Sequence, residues 1–186
     1  DGAFCYLTVD DAWRPDQLWR HRLGDSGGDQ LLHAEPDERF WLGVDESRDH
    51  RWVIVAAASK TSTETWLLDA LDPTANLRLV APRRQDVEYE VEVASDRLFI
   101  VHNDGAPDFA LAQAPLTASG RQAWTELWPG EPGVRLLGVT AYDRALVLSL
   151  RRDAQQVVAL RPRDDSGDVG DQVELDFDEP LCHVDA

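Results

Sequence analysis

The sequence predicts an all-β protein: a partial β-propeller with three complete four-stranded blades and an incomplete blade at each end. Three observations predict it. Short β-branched and aromatic runs recur four times, their starts 48, 46 and 47 residues apart. Asp, Asn, Gly and Pro separate the runs, as strand-connecting turns require. No stretch sustains a helical period, and Pro115 interrupts the Ala- and Leu-rich segment 108–123. Four strands per unit of about 47 residues is a propeller-blade period.

The strands follow in order. The first recurring set is Ala3–Val9, Arg51-Trp-Val-Ile-Val-Ala56, Arg97-Leu-Phe-Ile-Val-His102 and Arg144-Ala-Leu-Val-Leu-Ser149. The second is Gln17–Leu23, Glu64–Leu68, Asp108–Ala112 and Gln156–Leu160. The third is Gln30–His33, Leu77–Val80, Trp124–Leu127 and Gln172–Asp176, trailed by Pro36, Pro82, Pro129 and Pro180. The fourth is Arg39–Val44, Glu88–Val93, Val134–Val139 and the terminal Leu181–Val184. Asn103-Asp104-Gly105 supplies the positive φ of a tight hairpin, and Ser26-Gly27-Gly28 that of a looser loop. Chains work outward from the innermost strand of a blade. Taking the fourth set as innermost gives blades at 37–85, 86–132 and 133–180. Residues 1–36 form a blade lacking its inner strand, and 181–186 the first strand of another. The chain thus starts and stops within blades and contains no Met, so it is expected to be a piece of a larger ring. Cutting a ring bares two apolar blade faces, and the isolated chain is expected to self-associate.

Composition narrows the function. With 18 Lys and Arg against 35 Asp and Glu, the net charge is −17, and Lys60 is the sole lysine. Nucleic acid is excluded as a partner because the basic footprint for phosphates is missing. No apolar run is long enough for a membrane helix. Two cysteines, Cys5 and Cys182, do not make a disulfide framework and read as small buried hydrophobes of a reducing, cytoplasmic compartment.

Catalytic constellations are missing. Gly24-Asp-Ser26-Gly-Gly28 is a turn in a strand connection without the strand–turn–helix setting of a nucleophile. The histidines at 21, 33, 50, 102 and 183 lack metal-ligand spacing, and His102 reads as a surface residue flanking a turn. Asp176-Phe-Asp178-Glu179 cannot become a calcium loop because Pro180 breaks it. No metal and no cofactor is expected. Most acidic clusters are solvated faces, but Glu88, Glu90 and Glu92 share one face of a strand at period 2. With Asp37 and Glu38 at a blade junction, they are the candidates for steering a cationic peptide, since like-charged clefts speed capture of opposite charges.

Ordered strings along the whole chain carry a resemblance. They are Arg14-Pro15; Trp19-Arg20-His21-Arg22-Leu23-Gly24; Glu35-Pro-Asp37-Glu38-Arg39-Phe40; Ser59-Lys60-Thr61-Ser62-Thr63-Glu64; and Leu68-Asp69-Ala70. After them come Pro82-Arg83-Arg84 with Glu88-Tyr89; His102-Asn103-Asp104-Gly105 with Phe109; Pro132-Gly-Val-Arg-Leu136 with Gly138-Val139; Arg151-Arg152; and Phe177-Asp178-Glu179-Pro180. The set resembles the oligopeptidase B branch of the prolyl oligopeptidase family of serine peptidases. The resemblance implies a seven-bladed propeller covering a C-terminal α/β-hydrolase domain that carries a Ser-Asp-His triad and cleaves short peptides after Arg and Lys. No triad position falls within this chain, so no catalytic residue is carried over, and the chain would gate short basic peptides. The alternative is a propeller acting only as an interaction module, but the Gly-His and Trp-Asp signatures of such repeats are missing. Residues 153–170 depart from the pattern: the Gly-Leu expected after the arginine pair is absent, and 164–171 reads as a long acidic loop.

Overall fold

A computed structural model describes residues 2–24, 26–94 and 96–176. The expected terminal strand at 181–186, Cys182, His183 and the string Phe177–Pro180 lie outside the described residues.

Alternating apolar and polar residues put the strands where the repeat predicts them. Fifteen strands run in sequence among the described residues: β1 (Ala3–Val9), β2 (Pro15–Arg22), β3 (Gln30–Ala34), β4 (Trp41–Glu46), β5 (Trp52–Ala58), β6 (Thr63–Asp69), β7 (Arg78–Ala81), β8 (Tyr89–Ala94), β9 (Arg97–His102), β10 (Ala110–Pro115), β11 (Thr125–Trp128), β12 (Val134–Ala141), β13 (Ala145–Arg152), β14 (Gln155–Pro162) and β15 (Val173–Glu174). Only a single 3-10 turn, Arg121–Ala123, is helical among them. Each sheet is an antiparallel meander of neighbours in sequence: β1–β3, β4–β7, β8–β11 and β12–β15. The first sheet has three strands and the others four, the arrangement of a partial propeller. The strands β2/β3, β6/β7 and β10/β11 each slip register once, at Leu18/Trp19, Thr65/Trp66 and Leu111/Ala112. A shift recurring at the equivalent pair in three of the four sheets is a repeat feature, and such bulges add local twist.

The described residues form two compact units, one running to Glu88 with Ser119–Arg121, the other from Tyr89 to Ala118 and onward from Gln122. In the first, Leu7 lies opposite Leu18, and this face packs with Cys5 against Leu42, Val55, Ala57 and Trp66 of the second sheet. In the second, Phe99, Val101 and Leu111 pack against Val134, Leu136, Leu146, Leu148 and Leu150. Each fully buried side chain of this kind contributes about 1.5–3 kcal/mol of hydrophobic stabilisation.

Two turns differ from expectation. The β9–β10 connection is not a tight hairpin. Gly105 does take φ +76°, but a second turn follows and ends on Phe109 at φ +67°. Its backbone closes through Ala106 N–H to Asn103 O and Phe109 N–H to Ala106 O. The β13–β14 hairpin turns on Asp153 and Ala154, both at positive φ (50° and 64°). Here the glycine expected after the arginine pair is missing, and alanine carries a left-handed conformation that costs roughly 1 kcal/mol. The acidic loop that follows is shorter than expected: a bridge between Arg163 and Val169 closes it, and Asp164 Oδ1 accepts the N–H groups of Ser166 and Asp168.

Candidate functional site

The acidic candidates fall in different settings. Glu90 and Glu92 occupy one face of β8, and Glu88 immediately precedes the strand. Alternation holds, since Tyr89 and Val93 on the other face are buried. The register sets Glu90 opposite Val101 and Glu92 opposite Phe99, so the acidic face shares its side of the sheet with the core residues that pack on β12 and β13. Glu92 accepts the Ala141 N–H of β12 at 3.2 Å. Asp37 and Glu38 lie in the connection from β3 to β4. Glu38 is exposed, while Asp37 receives Arg39 Nε at 3.0 Å and Nη2 at 2.7 Å.

Those hydrogen bonds from Arg39 hold the Asp37 carboxyl at about 2, below the ordinary 3.8. Because the folded value is depressed, the pair contributes stability above pH 3.8 that is lost as pH falls through about 2. NMR titration of the Asp37 carboxyl should give a midpoint near that lower value, and Arg39→Ala should return it toward 3.8. An unchanged midpoint in the variant would remove Arg39 as the cause.

Around Asp37 the strings that carried the resemblance converge on one network. Arg14 is buried, 7% exposed, because it starts the chain's entry into β2 beneath the following junction. Its Nη1 donates to the carbonyls of Glu35 (3.2 Å), Asp37 (3.4 Å) and Phe40 (2.9 Å), and its Nε pairs with Asp10 at 2.9 Å. Glu35, 3% exposed, accepts the Asp37 N–H with Oε1 at 2.9 Å and Arg83 Nη2 with Oε2. Arg83 also donates Nε to Glu64 at 2.7 Å and lies over the Phe40 ring, 4.0 Å from its centroid. Four segments far apart in sequence are thus fastened by charge-assisted bonds, which are about twice as strong as neutral ones. Sequence reasoning did not foresee this network. The signal was available as a lone Glu before Pro36 and an arginine pair after Pro82, each in a segment otherwise read as a turn.

A second convergence lies in the other unit. Arg135 stacks over Phe109, 4.6 Å from its ring centroid, and the Leu136 N–H donates to Asp108 O at 2.9 Å. A side chain at Gly130 would come within 2.8 Å of the Phe109 carbonyl oxygen, so the close approach there requires glycine.

The described histidines pack against rings or bond to carboxylates. His102 is not on the surface, as its place beside a turn suggested; it is 1% exposed. Its ring lies 5.3 Å from Trp124, which in turn lies 5.3 Å from Tyr89. His33 stacks on Trp66 at 4.5 Å, and burial lowers its pKa. His21 and His50 pair with Asp29 and Glu46. The Cys5 thiol is free and half-buried, and burial raises its pKa, the opposite of what a nucleophilic thiolate needs. Among the described residues no group of three His, Cys, Asp or Glu could hold a metal ion, and no helix is long and apolar enough to cross a membrane.

Against known proteins, the sequence model described as prolyl oligopeptidase, N-terminal β-propeller domain, matches residues 1–184. The chain is 42% identical over 112 residues to Protease 2 of Moraxella lacunata, covering 60% of this chain and 16% of the relative. It is 30% identical over 150 residues to dipeptidyl aminopeptidase BI of Pseudoxanthomonas mexicana, covering 80% and 21%. Among solved structures it is similar to oligopeptidase B from Trypanosoma brucei with covalently bound antipain in a closed form. That match has a TM-score of 0.85 and 30% identity, and covers 96% of this chain and 26% of the other. Oligopeptidase B from Leishmania major shares the fold at a TM-score of 0.82 and 22% identity, over 96% of this chain and 26% of the other. The chain therefore spans about a sixth to a quarter of the length of these proteins.

Proposed function

The chain belongs to the prolyl oligopeptidase family, within its N-terminal β-propeller domain, and on that premise we propose that it is the non-catalytic gate of an oligopeptidase B-like serine peptidase. In the family this propeller is joined to a C-terminal hydrolase domain. In our reading that domain is this chain's partner and supplies the triad, while the blades at 37–85, 86–132 and 133–180 restrict entry to short peptides cut after Arg or Lys. The observation that carries the reading is the family match over nearly the whole chain. It is supported by a site whose charged residues are spent on holding sheets together. The proposed setting is the cytoplasm, consistent with a free Cys5. Alone, the chain is expected to self-associate through apolar faces such as that around Phe4 and Leu31, 49% and 44% exposed.

Within this reading, Glu88, Glu90 and Glu92 at β8 draw a cationic peptide, and Asp37 and Glu38 in the β3–β4 connection do so separately. Glu is replaced by Gln because the amide keeps an acceptor for the Ala141 N–H. In the complete enzyme at low salt, the triple Glu→Gln variant at 88, 90 and 92 should lower kcat/KM for basic peptides by about tenfold, with the difference fading at high salt. An unchanged kcat/KM at low salt would remove these residues from substrate capture.

A further inference from the structure

His33 is a titratable ring set into the junction of the first two sheets. It sits on β3 opposite Leu18 of β2 and stacks on Trp66 of β6, ring centroids 4.5 Å apart and planes at 45°. Leu18 and Trp66 belong to the apolar cluster that joins these sheets. The His33 ring is partly buried, and its Nε2 is buried with no hydrogen-bond partner among the described residues. A neutral ring can keep its proton on Nδ1 and leave Nε2 bare. A protonated ring must place an N–H at Nε2, where it has nothing to donate to. Burying a charge in that state is costly.

The charged and titratable groups on this side of the two sheets are Cys5 on β1, Arg20 on β2, Glu35 after β3, Glu64 on β6 and Arg83 after β7. The Arg20 guanidinium is turned to Gln30 Oε1 and Ala75 O, each at 2.8 Å. Glu35 and Glu64 favour a charged ring, yet all four of their carboxylate oxygens are engaged elsewhere. Glu35 accepts the Asp37 N–H and Arg83 Nη2, and Glu64 accepts the N–H and Nε of Arg83. Arg83 itself opposes a second cation. Burial is the largest influence, and it holds the His33 pKa below the ordinary 6.5.

We propose that His33 is an acid-released latch between the first and second sheets: its neutral ring on Trp66 holds them together, and protonation of the ring frees them. Because the folded ring titrates below 6.5, the latch contributes fully above pH 6.5, and its contribution is lost as pH falls through the folded value. For a single proton the opening equilibrium rises by at most about tenfold per pH unit across that window. The latch lies within the first unit and does not depend on the peptidase reading.

The test is backbone hydrogen exchange of the complete protein by mass spectrometry, at about pH 7.5 and about pH 5.5 and corrected for intrinsic exchange rates. Exchange of the histidine ring Cε1–H on the same samples gives the His33 titration midpoint. Peptides of β3 and β6 should lose protection several-fold, at most about tenfold, at the lower pH, and His33 should titrate below 6.5. His33→Phe keeps a ring on Trp66 and takes no proton, so its β3 and β6 protection should be the same at both pH values. His33→Gln is also uncharged and should behave alike, which covers the case in which the larger ring disrupts folding. Wild-type protection that does not change with pH, or the same loss in a folded variant, would overturn the latch. So would a His33 midpoint at or above 6.5.

Discussion

Phe99→Ala is expected to destabilise the second unit by about 3–5 kcal/mol, the usual cost of emptying a buried phenylalanine site. The ring is fully buried among Leu111, Leu136 and Leu148, residues of both sheets of that unit. It also carries the Arg163 guanidinium, 5.0 Å from its centroid. Truncation therefore removes the ring's apolar burial, leaves a cavity between two sheets and deprives a buried cation of its aromatic surface. Denaturant unfolding followed by the seven tryptophans would measure it. Phe99→Leu should recover most of the loss, because it refills much of the volume. A loss below about 1 kcal/mol for the alanine variant would mean that the two sheets are not packed as described.

Arg14→Met is expected to cost about 3 kcal/mol in the first unit. The methionine fills comparable space, so the effect isolates the lost polar contacts. The carbonyls of Glu35, Asp37 and Phe40 lose a donor; that of Asp37 keeps the Phe40 N–H at 2.9 Å, so the cost falls on the buried carbonyls of Glu35 and Phe40, about 1–3 kcal/mol for each buried group left unsatisfied. Asp10 loses its ion-pair partner, but its side chain is 27% exposed, so water moderates that part. Breaking a fully buried pair costs about 3–5 kcal/mol, and partial hydration puts this case at the lower end. Arg14→Lys should rescue little, since a point ammonium cannot span three carbonyls and a carboxylate as a planar fork does. Full rescue by lysine would show that charge alone, without geometry, holds the junction.

The strands were legible because each is short, alternating and repeated four times, so one weak signal was read four times over. Val53, Val55 and Ala57 on β5 and Leu146, Leu148 and Leu150 on β13 mark their buried faces at period 2. The charged network was not legible, since Arg14 meets Phe40 across 26 residues and Arg83 meets Glu35 across 48. Nothing local distinguishes these arginines from solvated ones. His102 was misplaced for the same reason: its polar sequence neighbours, Asn103 and Asp104, suggest a surface, while the burying partners Trp124 and Tyr89 are distant. The acidic period of β8 was correctly seen, but the surface it meets is determined by β12, through contacts such as Ala141 to Glu92. Asp37, a steering candidate from its place at a blade junction, has a local partner that the same string already contained, Arg39 two residues on.

In the proposed function, these sheets admit peptides to a catalytic centre borne by another domain of the complete protein. Hydrolysis of a fluorogenic peptide with Arg before the cleaved bond, by the 186-residue chain and by the protein of the complete gene, tests it most directly. The expected result is no turnover above the buffer blank from the chain alone and cleavage after Arg and Lys by the complete protein. Turnover by the purified chain itself, or a complete protein that leaves Arg- and Lys-containing peptides intact, would contradict it.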